Sequence, residues 1–355
     1  MPGRTGDIMR SSRGLALIAL IALVATISAC GNDDEAATSS TSTPKGGQTL
    51  TVYSGRDEEL VKPLIDMFVD DTGIKVDVRY GNTAEMGAQL LEEGNGTPAD
   101  VFYSQDAGAT GALANADLLA PLSSETMSKV DVRYRPTDGD EWVGVTGRAR
   151  VIVYHPDLVA DPPAGVLDLT GPAYKGMVAW VPSNASFQAF VTAMRVKLGE
   201  DEARRWLKDM VSNGAKSYES NSDVLDAVNA GDVPIGLINH YYWARTLPEL
   251  GSDLKAKLIF PKSNDPGALI NATTVAITKN GADNSAAQKF VDFLLSAKAQ
   301  THFVTATFEY PLVEGVVDPA GVPPLAELEG LDFNLNELES LEATQAMLDE
   351  LGLLS

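Results

Sequence analysis

A single cysteine, Cys30, stands in this chain of 355 residues, and its position constrains everything after it. Upstream lies residues 15–27 (LALIALIALVATI), apolar but for one Thr and preceded by Arg10 and Arg13. As a helix this stretch rises roughly 20 Å, short of the ~30 Å core of a bilayer, so it fits the h-region of a secretory signal. One thiol leaves no disulfide within the chain, and the fold must stand on its apolar core. Roughly 300 residues after the signal can bury enough surface for that, and chains beyond ~250–300 residues usually divide into domains. Two α/β lobes are therefore expected.

Small residues Ser28 and Ala29 precede Cys30 and Gly31. Ile27-Ser28-Ala29-Cys30 resembles the bacterial lipobox, which implies cleavage before Cys30 and acylation of its thiol. Residues 1–29 are thus expected to be a lipoprotein signal peptide, with Met9 available as an alternative start. The product sits on the extracellular face of the cell membrane. Removing residues 1–29, with three Arg and one Asp, takes the net charge from −22 to −24. Such a surface disfavours nucleic acid and suits cationic ligands or plain solubility. Residues 30–48 are polar and without periodicity, as expected of a disordered tether.

From Thr49 onward strands and helices alternate. Residues 49–53 (TLTVY) form a strand signal. Leu60, Val61, Leu64, Ile65, Phe68 and Val69 make one helical stripe, and Gly73 suits a helix end. Ile74, Val76 and Val78 alternate with charged residues as a half-buried strand. Further helices are expected at 83–93, 107–116, 186–198, 202–212, 222–230, 286–303 and 336–351. Further strands are expected at 99–103, 142–154, 233–238 and 274–278, with 142–154 long enough to cross between lobes. The expected class is α/β, a two-lobed periplasmic-binding-protein fold with a hinge. Residues 49–148 with about 266–320 would form the first lobe. Residues 149–265 with about 321–355 would form the second. Ligands of such sheets bind beyond the carboxyl ends of the strands, here in the cleft between lobes.

The most informative stretch is 238–243 (INHYYW), just after the strand at 233–238. If the strand ran on, Tyr241 and Tyr242 would point to opposite faces. If the chain turns into a helix there, neighbouring side chains lie about 100° apart and can converge. Two phenolates are hard donors suited to a trivalent ion such as Fe³⁺. The same residues also suit an amphipathic aromatic cluster capping the core. His155, His240 and His302 make no metal-ligand spacing, and His240 is expected beside rather than in a site. No zincin, nucleophile-elbow or phosphate-loop motif is present, and the chain reads as a binding protein rather than an enzyme.

Taken in order, 51–58 (TVYSGRDE), 98–113 (PADVFYSQDAGATGAL), 147–154 (GRARVIVY), 182–187 (PSNASF), 238–243 (INHYYW) and 265–268 (DPGA) resemble the periplasmic ferric-ion-binding proteins of bacterial iron importers. The resemblance covers nearly all of 49–351. It implies a transferrin-like trap in which Tyr241 and Tyr242 bind Fe³⁺ with a synergistic anion: carbonate, phosphate or citrate. It further implies delivery of iron, as a monomer, to an ABC importer permease and its ATPase. Many members carry His where this chain has Asp57, and Glu where it has Gln105. Asp57, a hard oxygen donor, is the candidate substitute ligand, or equally a first-turn helix carboxylate; Gln105 is a poor donor for Fe³⁺, and neighbouring Asp106 is the alternative. For the anion, the resemblance points to Ser183, Asn184 and Ala185 at a helix start, to Arg148, and to Asn221. Ordinary helix capping by Ser183 or Asn184 is compatible with that role. Two other functions remain open: another solute on the same scaffold, such as a polyamine, an oxyanion or an organic cofactor, and a secreted enzyme.

Overall fold

In the computed structural model the described residues are 49–354; the signal segment, Cys30 and the tether lie outside the described residues. The chain enters through β1 (Thr49–Ser54), crosses α1 (Glu58–Thr72) and returns as β2 (Lys75–Tyr80), parallel to β1. The apolar stripe of α1 buries Val61, Leu64, Ile65 and Phe68, and Gly73 ends the helix at φ 67°. That left-handed conformation is cheap only for glycine. Helix α2 (Thr83–Glu93) leads to β3 (Val101–Ser104), which joins β1 on its other side. Helices α3 (Ala107–Asn115) and α4 (Ser124–Ser128) precede β4 (Trp142–Tyr154).

Strand β4 joins the two halves of the sheet. Helix-flanked strands β5 (Val178–Trp180), β6 (Lys216–Ser217), β7 (Ile235–Asn239) and β8 (Lys257–Ile259) follow, with α5 (Ala185–Leu198), α6 (Glu200–Ser212), α7 (Asn221–Ala230) and α8 (His240–Leu250) between them. Strand β9 (Ile270–Ile277) then comes back to lie antiparallel to both β3 and β4. The order is β2-β1-β3-β9-β4-β7-β5-β6, with β8 and the short β10 (Tyr310–Pro311) also on β4. Residues Trp142 to Ala149 of β4 pair with β9, and Arg150 to Tyr154 pair with β7. One strand thus belongs to two sheet halves, and its side chains are buried almost throughout.

The chain closes with α9 (Ser285–Leu294), α10 (Ala297–His302) and α11 (Leu341–Glu350). The single helix expected over 286–303 is two, because the Ser296 hydroxyl accepts the Ala299 N–H and starts a new helix. A π turn, Phe303–Thr307, follows α10. The expected helix at 336–351 opens as a 3₁₀ segment, Leu335–Ser340, before α11. This C-terminal stretch spans both halves: the Asn115 amide donates to Glu339, while Thr344 meets Thr192 at 2.7 Å.

Candidate functional site

Strand β7 stops at Asn239 and α8 starts at His240, so both tyrosines fall in the first turn of a helix. The turn resolves the question their spacing left open. Their rings stack with centroids 4.4 Å apart and planes 28° off parallel. The side chains therefore project together. Tyr241 is 8 % exposed and Tyr242 half-buried. The pair sits at the N-terminal, positive end of the α8 dipole. Arg245, one turn on, lies 5.7 Å from the Tyr242 ring centroid.

Both tyrosines line a cleft of about 770 Å³ whose other wall is the start of α1: Arg56, Asp57, Glu58 and Glu59, with Ser220 and Ser222 alongside. Asp57 holds the N-cap position of α1, yet its side chain makes no capping bond. Its exposed carboxylate is therefore available to the cleft. The loop carrying it is held from behind. Thr83 Oγ1 donates to the Gly55 carbonyl at 2.9 Å, and a Cβ at position 55 would fall 2.7 Å from the Thr83 Cα, so only glycine fits.

The second expected loop behaves differently. Asp106 is 4 % exposed, and its Oδ1 accepts the Gly108 and Ala109 N–H groups as the N-cap of α3. Burial raises its pKa, with Arg148 and the two cap bonds opposing. It does not line the tyrosine cleft. Asp106 as the alternative donor is thus corrected: helix-capping chemistry takes up its carboxylate. Gln105 donates its N–H to Thr83 at 2.9 Å, and its carbonyl accepts from Arg148.

Arg148 and Arg150 alternate along β4 and share a face, as their spacing requires. Arg148 is 1 % exposed and reaches the Ser186 hydroxyl at 3.4 Å, at the start of α5. There Asn184 caps the helix by accepting the Ser186 N–H at 3.0 Å, Ala185 opens it, and Ser183 is exposed. Arg150 is the residue the sequence undervalued. Its guanidinium packs 5.5 Å from the Phe187 ring and 5.6 Å from Phe190, and Nη2 donates to the Leu237 carbonyl at 3.2 Å. Burial lowers its pKa to about 10, with the Tyr242 and Tyr241 phenols raising it. The only advance signal was its two-residue offset from Arg148.

Several polar atoms around this face have no protein partner among the described residues: Arg148 Nε, Arg150 Nε and Nη1, and both amide atoms of Asn221, which is 1 % exposed. Buried polar groups are nearly always satisfied, so the orphan donors among these, Arg148 Nε, Arg150 Nε and Nη1 and Asn221 Nδ2, suit a bound anion. Among the described residues no group of three or more His, Cys, Asp or Glu could hold a metal ion. Metal capture here would need the phenols. A groove of equal volume beside Lys129, Arg133 and Glu314 contains no such tyrosine pair.

The family of bacterial extracellular solute-binding proteins matches residues 96–333. The chain is 36 % identical to the Fe(3+)-binding periplasmic protein of Serratia marcescens, over 86 % of this chain and 91 % of that one. It superimposes on iron-bound HitA from Pseudomonas aeruginosa with a TM-score of 0.79 at 32 % identity, covering 86 % of this chain and 99 % of the other. A Trichodesmium protein (IdiA, FutA) in complex with iron and citrate gives a TM-score of 0.73 at 29 % identity, over 86 % and 99 % of the two chains.

Proposed function

Because the chain belongs to the bacterial extracellular solute-binding proteins, we propose that it captures ferric iron outside the cell and hands it to an ABC importer. The single observation that carries this reading is the stacked Tyr241–Tyr242 pair in the first turn of α8, facing Asp57 across one cleft. Two phenolates and a carboxylate are hard oxygen donors for a hard trivalent ion. Three negative donors against a 3+ ion leave the buried Arg150, which faces no carboxylate, without counter-charge. A synergistic anion supplies it. Ser183, Asn184 and Ala185 at the α5 start, with Arg148, Arg150 and Asn221, would hold carbonate, phosphate or citrate. Gln105 then serves by orienting Arg148 rather than by ligating.

We place the division of the lobes on β4, near the point where it changes partner from β9 to β7. We assign 49–148 with about 266–320 to the first and 149–265 with about 321–355 to the second, closing on the ion as a hinge. The loaded monomer docks on a permease powered by a separate ATPase, and the protein performs no catalysis. Colour tests the assignment: ferric phenolate absorbs in the visible, so protein mixed with ferric citrate should develop a charge-transfer band. A colourless mixture would rule the assignment out.

Two further outcomes follow from the same scheme. Arg150→Met should stabilise the iron-free protein in a denaturant melt by about 1–4 kcal/mol, the range seen when buried ion pairs give way to apolar groups of similar volume, since an unpaired buried charge is no cheaper than a paired one. It should also weaken anion-dependent iron binding; a destabilised variant with unchanged binding would show that Arg150 has a purely packing role. Acylation at Cys30 predicts that the membrane fraction holds the mature chain with lipid mass added. An unmodified chain released to the medium would remove the anchor.

A further inference from the structure

We propose that three consecutive residues, Phe308-Glu309-Tyr310, form a seat that positions both walls of the iron site, with His240 and Glu309 as its positioning residues. The inference rests on the tyrosinate reading above and adds what holds the donors in place. His240 immediately precedes Tyr241, and Arg56 immediately precedes Asp57; both are anchored to this one segment.

On the tyrosine side, His240 is fully buried. The Ala149 N–H donates to Nδ1 at 3.1 Å, and Nε2 lies 3.0 Å from the Phe308 carbonyl. One neutral tautomer, with its proton on Nε2, satisfies both contacts. The imidazole also stacks on Tyr310, with centroids 4.4 Å apart and planes at 22°. Its ring thus ties the start of α8 to the crossing strand β4 and to the seat. On the Asp57 side, Arg56 Nη2 donates to Glu309 Oε1 at 2.7 Å, and Thr146 donates to Oε2 at 2.8 Å. Arg56 is 3 % exposed and Glu309 fully buried.

The backbone between these anchors is unusual. After the π turn at Phe303–Thr307, Phe308 adopts φ 57°, ψ 26°, a left-handed conformation that disfavours any residue with a Cβ. Only Asp117 shares a positive φ among the described non-glycine residues. Such strain persists where surrounding contacts over-determine it, and π turns gather at functional sites. Here it has a visible consequence: the Phe308 carbonyl meets His240 while the next side chain meets Arg56. Cutting either tether leaves a buried polar group unpaired and frees one wall of the cleft to move.

The test uses the full mature protein and three substitutions. His240→Phe keeps a flat ring over Tyr310 but removes both hydrogen bonds. His240→Gln keeps an acceptor and a donor. Glu309→Gln removes the charge that holds Arg56. Iron dissociation should accelerate roughly 10–100-fold in His240→Phe and Glu309→Gln, the usual cost of losing the partners behind a metal ligand. The charge-transfer maximum should shift in both, and His240→Gln should restore rate and maximum. Crystal structures of the iron-free variants should show the tyrosine stack opened or the Asp57 loop displaced. Unchanged stacking and loop position, with parental iron kinetics, would overturn the proposal. If the parent itself binds no iron, the tyrosinate reading fails, and the iron-free structures still decide whether the seat positions these residues. Should His240→Phe fail to fold, Glu309→Gln decides alone.

Discussion

Tyr241→Phe combined with Tyr242→Phe is expected to give a folded protein that stays colourless in excess ferric citrate. Each substitution removes one hydroxyl and keeps the ring, so the stack at 4.4 Å and the packing of α8 persist. The cost to folding should stay within about 1 kcal/mol, the size of one ordinary hydrogen bond. The cost to binding is far larger. Removing one charged partner from a buried site costs roughly 3–5 kcal/mol, or about two to four orders of magnitude in affinity. Either single variant should therefore bind weakly with an altered band, and the double variant not measurably. Asp57→Asn, on the exposed wall, should cost less than either. Competition against a chelator of known strength measures all four; a single variant that kept parental affinity and colour would remove that phenol from the ligand set.

A second large effect is expected with pH. Phenols ordinarily titrate near pH 10. Burial first, and then the neighbouring Tyr242 phenol, raise the Tyr241 pKa above that value, while Arg148 and Arg56 pull it back. Tyr241 accordingly holds its proton at neutral pH until the metal displaces it. The sign follows: protons compete with iron, so affinity rises with pH and falls in acid. With two phenols exchanging one proton each, apparent affinity should change about 100-fold per pH unit across the range below phenol titration. Chelator competition at pH 6, 7 and 8 gives the slope, and an unbuffered titration should release two protons per iron. A slope near zero is incompatible with phenolate ligation, and a slope near one leaves a single phenol on the metal.

Much of the architecture was legible in one dimension. The α1 stripe, the alternation of β2 and the glycine at 73 are local patterns whose periods follow from backbone geometry, and each element appears where its pattern lies. Less legible were the interruptions. Ser296 splits one apolar stretch into two helices by a capping bond, a choice between local hydrogen bonds that periodicity does not register.

At the site, the residue types pointed to the chemistry but not to each residue's task. Tyr-Tyr after a buried strand suggested hard donors, yet whether the rings diverge or converge depended on a helix starting at His240. Asp106 looked as capable a ligand as Asp57, since both are carboxylates beside a strand end. The fold separates them: Asp106 turns inward to cap α3, while Asp57 caps nothing and faces the cleft. Arg150 carried no motif of its own. Its isolation from any carboxylate arises because β4 passes between two sheet halves and under the α5 aromatics.

The order of residues alone therefore determined most secondary elements, the class of fold and the kind of atoms available to a cation. Hydrophobic periodicity and side-chain hardness are local properties, readable within a few turns of chain. Which donors meet, which charges go unpaired and what braces them depended on contacts between segments as distant as Arg56 and Glu309, 253 residues apart. Such contacts exist only once the sheet has closed, because burial and the pairing of polar groups are properties of the assembled interior.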